Sequence, residues 1–229
     1  MAIARLDAAV SVAANTLAYT VSAGFNRMLV VCTSYEAQAQ RTTTGIDYGG
    51  QAMVQSVQQD TPDAGPTFGC SIWYILEAGI AAAVGNVITP TISGTFDDQM
   101  IHAISYVRAN QTGGATTNPA TASAETNEAT PNPVVADLTE ATGGAVVAIT
   151  GSGNNTTHTW SAAMTEQTDQ AGGTTASSMA DRLSSTSANV DIEGTSASQN
   201  RAAICSASFA FGGIIPQSMH HYRNHGKLF

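Results

Sequence analysis

Short segments of alternating apolar and polar residues, rather than helical periodicity, dominate the pattern along this chain. Segments rich in β-branched and large apolar residues, separated by clusters of Gly, Asn, Pro and Thr, lie at residues 27–34, 70–76, 101–108, 144–150, 188–193 and 201–211. Short strands between such turn signals are typical of a β-sandwich or barrel. We therefore predict an all-β fold, with one short helix at residues 179–184.

Two of these segments also predict how they are buried. Bulky residues occupy both alternating sets of 101–108, which indicates a strand covered on both faces. In 201–211 the residues of one face are apolar, which predicts a half-buried strand; these are Ala203, Cys205, Ala207, Phe209 and Phe211.

Three stretches rich in turn-forming residues predict long loops, at residues 58–66, 110–133 and 169–178. The longest contains almost nothing apolar larger than Ala, and loops of that length are usually functional or disordered. The sequence shows no internal repeat. We expect one sandwich domain over residues 1–211 and an extended C-terminal arm over residues 212–229.

Composition narrows the possible functions. Only 11% of the 229 residues are charged, against roughly a quarter in an average soluble domain. The hydrophobic fraction of 43% excludes a disordered chain. Seventeen acidic residues against eight basic ones give a formal charge of −9, so we expect no binding to nucleic acid or to an anionic membrane. The chain also has no run of about 18 apolar residues that would predict a membrane span.

The three cysteines do not form a recognisable motif. Cys32, Cys70 and Cys205 are far apart, and each lies in an apolar run. A cysteine in such a run behaves as a small hydrophobic residue, so we predict three buried thiols. The pattern is not a disulfide framework, although a disulfide between two of them stays open.

Catalytic and metal-binding motifs are weak. The sequence contains no G-x-S-x-G, H-E-x-x-H, P-loop or G-x-G-x-x-G pattern. His102 and His158 lie in predicted strands, which favours structural roles. We predict no catalytic residue, no cofactor and no metal site, with Asp97 and Asp98 as solvated loop acids. The alternative of a glycan-active enzyme would depend on Glu166 and Asp169 near Trp160.

The C-terminus differs in charge from the rest of the chain. The final ten residues hold three of the five His, two of the eight basic residues and no acid. We predict that this arm docks on an acidic neighbouring subunit, with aromatic and aliphatic residues as anchors. The candidate partner-binding residues are His220, His221, Tyr222, Arg223, His225, Lys227, Leu228 and Phe229.

Three motifs in the first half follow an order seen elsewhere. N-R-M-L-V-V at 26–31, Y-G-G-Q-A-M at 48–53 and W-Y-I-L at 73–76 resemble a family of phage and bacterial jelly-roll β-sandwich domains. The resemblance covers roughly residues 17–108, with weaker support from the strand at 202–211. It implies that Arg27, Tyr48, Gly49, Gly50 and Trp73 are framework residues, with the two glycines in a tight turn.

The resemblance implies a non-enzymatic bacteriophage structural protein made in the host cytoplasm and located in the virion. Our first expectation is a capsid decoration or cement protein, homo-oligomeric and in contact with the major capsid protein or other virion proteins. The alternative is a phage tail or fibre component, or a carbohydrate-binding module, that recognises host-surface glycans through loops such as 58–66 or 110–133.

Overall fold

The computed structural model contains many strands, as predicted. It describes residues 1–61, 66–112, 121–126, 134–161, 164–184, 188–197 and 201–212. Nearly all of the regular secondary structure in this part of the chain is antiparallel sheet, and the sheets pack on one another. The predicted all-β sandwich class is therefore confirmed, whereas the jelly-roll topology stays a prediction. The predicted arm lies almost wholly outside the described residues.

Among the described residues, the first half of the chain contains nine strands and one helix. They are β1 (Ala4–Val12), β2 (Leu17–Ala18), β3 (Met28–Ala37), β4 (Thr43–Tyr48), β5 (Gln51–Ala52), β6 (Val54–Asp60), β7 (Thr67–Leu76), α1 (Glu77–Ala82), β8 (Val87–Ile92) and β9 (Asp98–Val107). The described part of the second half contains eight strands. They are β10 (Thr121–Thr126), β11 (Val134–Thr139), β12 (Ala145–Ser152), β13 (His158–Trp160), β14 (Thr165–Ala171), β15 (Ala176–Leu183), β16 (Asn189–Ser196) and β17 (Ala202–Phe209).

Each half forms one five-stranded sheet and one smaller sheet. We call β1-β9-β3-β7-β6 the first inner sheet and β10-β17-β12-β15-β14 the second inner sheet. The four-stranded sheet β2-β8-β4-β5 is the first outer sheet, and the three-stranded sheet β11-β16-β13 is the second outer sheet. All pairings between neighbouring strands are antiparallel.

Three apolar cores stack these sheets into four layers. The central core lies between the two inner sheets and contains Val30 and Ile72 from one, and Val147 and Phe209 from the other. A second core joins the first inner and first outer sheets, and a third joins the second inner and second outer sheets. Both faces of the inner strands are therefore buried, which explains the continuous apolar runs of β3, β7 and β12.

The two halves repeat the same strand order. If the two-residue β5 is set aside, each half has eight strands, and the first pairs with the last, the second with the seventh and the third with the sixth. Rolling up one long antiparallel hairpin produces this nested pairing. The sequence shows no repeat because each position requires only a buried or exposed residue and not a particular one.

Several predicted loops turn out to contain strands, and three of these strands, β6, β10 and β14, lie at sheet edges. Residues 58–60 belong to β6, residues 121–126 to β10, and residues 169–171 and 176–178 to β14 and β15. The predicted helix at 179–184 is wrong, since residues up to Leu183 pair with β12, and residues up to Asp181 also pair with β14 on the other side. Strand β14 reads T-E-Q-T-D-Q-A, and this polar composition at a sheet edge conceals the strand.

Two other local predictions are confirmed and one is corrected. The described β9 is buried on both faces from Gln99 to Tyr106, as predicted. The predicted apolar face of β17 lies in the central core, but the prediction of a half-buried strand is wrong, because its other face packs into the third core. Gly49 and Gly50 have φ of 53° and 80° and form the two-residue turn between Tyr48 and Gln51. Positive φ at both central positions is what a tight hairpin turn requires.

Candidate functional site

The predicted partner-binding residues from His220 to Phe229 lie outside the described residues, but the structure shows where their segment leaves the body. Phe211 forms an antiparallel bridge with Ala109, and the N–H of Gly212 donates to the carbonyl of Arg108 at 2.9 Å. The arm therefore begins at the end of the molecule where β9 and β17 both finish. Arg108 at this end also lies 6.0 Å from the ring centroid of Phe25.

The outward side of the first outer sheet, which we call the first outer face, is nearly neutral. Its exposed residues are short and include one acid and no base: Ala18, Thr44, Asp47, Ala52, Val87, Thr89 and Thr91. The register places Ala18 opposite Val87 and Asp47 opposite Thr89. Val84, beyond α1, is 89% exposed, which is unusual for a large apolar side chain. This face can pack against another protein without removing water from many charges.

The second outer face, formed by β11, β16 and β13, is acidic by comparison. Asp137 lies directly opposite Asp191, and Glu193 is two residues along the same strand. A hydrogen bond with Asp137, together with the charge of Asp137, raises the pKa of the exposed Asp191 carboxyl. Like charges directly opposite each other destabilise a sheet. The two outer faces thus occupy equivalent positions in the repeat but differ in charge.

A polar cavity of about 560 Å³ opens at the end of the molecule opposite the arm. Its charged side chains already have partners, because Arg201 forms an ion pair with Glu36, and Thr174 donates to Glu36 at 2.5 Å. Burial works to raise the pKa of neighbouring Asp98, but hydrogen bonds from Thr174 and Gly173 outweigh it and lower the pKa. The contacts of Glu36 therefore link β3 to Thr174 in the loop before β15 and to Arg201.

A smaller cavity of about 230 Å³ lies beside Asp169, where the loop before β13 meets β14 and β15. Its lining residues carry one carboxylate, one amide, two hydroxyls and four methyl groups; they are Asn155, Thr156, Thr157, Asp169, Ala171 and Ala176. Behind it, His158 is 3% exposed, and its Nδ1 lies 3.7 Å from Oδ1 of Asp169. Neither ring nitrogen of His158 has a hydrogen-bond partner among the described residues. Polar groups converging on methyl groups could hold a small hydroxyl-rich molecule.

The residues considered for a glycan-active enzyme are partly brought together. Burial raises the pKa of Glu166, and the charge of Asp169 raises it further, while His158 opposes both effects. Trp160, however, donates from Nε1 to Ser178 Oγ at 2.9 Å, and its ring packs against the third core. Trp160 does not line the described cavity beside Asp169.

His102 links the two inner sheets. Its Nδ1 lies 2.8 Å from Thr168 Oγ1, and its Nε2 lies 2.8 Å from Ser177 Oγ. The side chain is fully buried, and this burial lowers its pKa to about 3, so the imidazole is neutral at physiological pH. Both ring nitrogens are occupied by hydroxyl groups of the second inner sheet, which gives His102 a packing role between the halves.

Sequence reasoning missed a second polar link between the halves. Asp181 on β15 is fully buried and accepts hydrogen bonds from Arg5 Nε at 2.8 Å, Arg5 Nη2 at 2.5 Å and the Tyr106 hydroxyl at 2.8 Å. Arg5 and Tyr106 belong to the first inner sheet. The one signal in the sequence is the carboxylate of Asp181, which directly follows the small and apolar residues that begin its segment.

Within the described residues, no group of three or more His, Cys, Asp and Glu side chains could hold a metal ion. The described part of the chain also contains no helix with the length and apolar character needed to cross a membrane. No family model, curated protein or solved structure matches this chain. The function must therefore be argued from the molecule itself.

Proposed function

We propose that this protein is a non-enzymatic bacteriophage virion structural protein, most directly a capsid decoration or cement protein that stabilises the shell. The observation that carries the proposal is the first outer face, a sheet surface whose exposed side chains are short and include a single acid, Asp47. Such a surface brings backbone and methyl groups against a neighbour at little cost in charge desolvation.

The size of this face indicates that a second contact is needed. Strands β4 and β8 are six residues long, whereas β2 and β5 are two residues long. With about 4.8 Å between strands and about 3.3 Å per residue, the face covers about 250 Å². A stable interface covers about 800 Å² on each partner. The 17 residues after Gly212 reach at most about 56 Å when fully extended and include the basic, His-rich segment. In this proposal the sheet face and the arm together supply the contact with the shell.

The proposed partners are the major capsid protein or other virion proteins and further copies of this chain. The nested strand pairing in each half supports the jelly-roll topology expected from the family resemblance. The low charge of the chain supports dense packing of subunits, because few like charges repel one another across contacts.

A second candidate function is favoured by the small cavity beside Asp169. Its carboxylate, amide and hydroxyl groups could bind a sugar residue of a host-surface glycan, as expected of a tail or fibre component. The loops first predicted for this role, 58–66 and 110–133, lie partly outside the described residues.

Immunogold electron microscopy of the phage particle separates the two candidates. We expect gold labels spread over the shell surface. Labels confined to the tail or its fibres would contradict the decoration role and support the glycan-binding alternative. A screen of the isolated protein on a glycan array, with Asp169→Asn as the variant and Asp191→Asn as the matched control, then tests the second candidate.

A further inference from the structure

Two cysteine thiols meet across the central core, one from each half of the chain. Cys70 lies on β7 and Cys205 on β17, and their sulfur atoms are 3.2 Å apart although 135 positions separate them in sequence. The sulfur of Cys205 is also 3.3 Å from the carbonyl oxygen of Cys70. The two inner sheets therefore approach each other closely at this point.

The surroundings explain why these two thiols meet. Ala203 and Ala207 flank Cys205 on the same face of β17, and their small side chains let β17 approach β7. The third thiol, Cys32, lies on the same face of the first inner sheet but opposite Ile72, whereas Cys70 lies opposite Ser34. The geometry thus distinguishes one pair among the three possible ones.

We propose that Cys70 and Cys205 are a modification site at which an intramolecular disulfide joins the two halves of the protein. The sulfurs must move about 1 Å closer to reach the S–S bond length of about 2.05 Å. The oxidant is a small-molecule disulfide such as oxidised glutathione. One cysteine thiolate attacks it, forming a mixed disulfide and releasing one reduced glutathione. The second thiolate then displaces the other, so two thiols lose two protons and two electrons in total.

The bond must form before the central core closes. Both side chains are at most 1% exposed, and burial raises the pKa of the Cys70 thiol, so the folded protein protects both sulfurs from a bulky oxidant. We therefore expect the disulfide in chains that fold under oxidising conditions. Closing a loop of 135 residues should raise Tm by about 10 °C.

The test is oxidative refolding of the full chain. The protein is unfolded under reducing conditions and refolded either in a glutathione redox buffer or in dithiothreitol. It is then unfolded again in the presence of N-ethylmaleimide, which labels free thiols, and its mass is measured by mass spectrometry. After reductive refolding all three thiols should carry an adduct. After oxidative refolding only Cys32 should carry one, peptide mapping should link Cys70 to Cys205, and the rise in Tm should disappear with dithiothreitol.

Matched variants make the result specific. Cys32→Ala should keep the cross-link and leave no adduct, whereas Cys205→Ala should lose the cross-link and carry two adducts. Three adducts on the oxidatively refolded wild type, a link that includes Cys32, or a link between chains would overturn the proposal. The adduct count is made on unfolded chain, so it decides the matter even if Cys205→Ala fails to fold. None of these results depends on the proposed role in the virion.

Discussion

The buried carboxylate of Asp181 provides the strongest test of how the two halves are held together. Replacing it by Ala removes the acceptor shared by Arg5 and Tyr106 on the opposite sheet. The Tyr106 hydroxyl is then buried without a partner, which costs about 1–3 kcal/mol. Breaking a buried ion pair costs about 3–5 kcal/mol. Because the Arg5 side chain is 37% exposed and water can solvate it, we expect a total near the lower end of that range.

We therefore predict that Asp181→Ala lowers the free energy of unfolding by about 3–4 kcal/mol. For a chain of this size, Tm should fall by about 10 °C. Tyr106→Phe removes only the hydroxyl and should cost about 1 kcal/mol. The two substitutions should cost less together than the sum of their separate effects, because they remove the same hydrogen bond.

Urea unfolding followed by tryptophan fluorescence, with Tm from calorimetry, measures these changes. Asp191→Ala on the second outer face is the matched control, and it should cause no loss, because Asp191 is exposed and faces another acid, Asp137. If Asp181→Ala were as stable as Asp191→Ala, the carboxylate would not join the halves. Strict additivity of Asp181→Ala and Tyr106→Phe would refute the shared hydrogen bond.

Three further predictions follow from the central core, the buried histidine and the glycine turn. Trp73→Phe leaves Trp160 as the fluorescent reporter in the second half, and Trp160→Phe leaves Trp73 as the reporter in the first half. Because the two halves share the central core, both variants should unfold at the same urea concentration. Two different midpoints would argue against a shared core. His102 has a pKa of about 3 in the folded protein, against 6.5 for the free side chain, so the unfolded chain binds a proton at this position more readily. The free energy of unfolding should therefore fall by up to about 1.4 kcal/mol per pH unit as the pH drops from 6.5 toward 3. NMR should find this imidazole neutral at pH 5, and a charged ring there would show the prediction to be wrong. Gly49→Ala should lower the free energy of unfolding in urea by about 1–3 kcal/mol, because φ is +53° and the new Cβ would lie 2.6 Å from a carbonyl oxygen. Gly45→Ala is the control, because a Cβ at that position would meet open space. Equal effects of the two substitutions would contradict the turn geometry.

The strands that could be predicted from the sequence are those with both faces buried. Strand β3 is buried along its whole length, and most of it coincides with the predicted segment at 27–34. Strands β6 and β14 lie at sheet edges and carry polar side chains, so their composition resembles that of loops. The segment at 179–184 is short, and periodicity alone does not distinguish a helix from a strand in so short a segment. This ambiguity accounts for the wrong helix prediction.

The contacts between the two inner sheets could not be predicted. The Arg5–Asp181 pair spans 176 positions and the Cys70–Cys205 contact spans 135. Local periodicity shows which face of a strand is buried, but it does not show which strand of another sheet lies opposite. The repeated topology was equally hidden, because the halves share a pattern of burial without sharing residues.

For the candidate partner-binding residues of the C-terminal arm, the sequence was more informative than the structure. Their basic and aromatic character was evident from the sequence, whereas the structure contributes the point of departure at Gly212. The difference in charge between the two outer faces appeared only with the strand register, since Asp137 and Asp191 are distant in sequence but directly opposite.

Binding to capsid shells tests the proposed function most directly. Shells stripped of this protein are mixed with either the full chain or a chain lacking residues 217–229, and the bound fraction is measured by co-sedimentation. We predict that the full chain saturates the shell with a fixed number of copies and that the truncated chain binds at least tenfold more weakly, because the sheet face alone covers about a third of a stable interface. No binding of the full chain would contradict the decoration role, and equal binding of both chains would contradict the role of the arm.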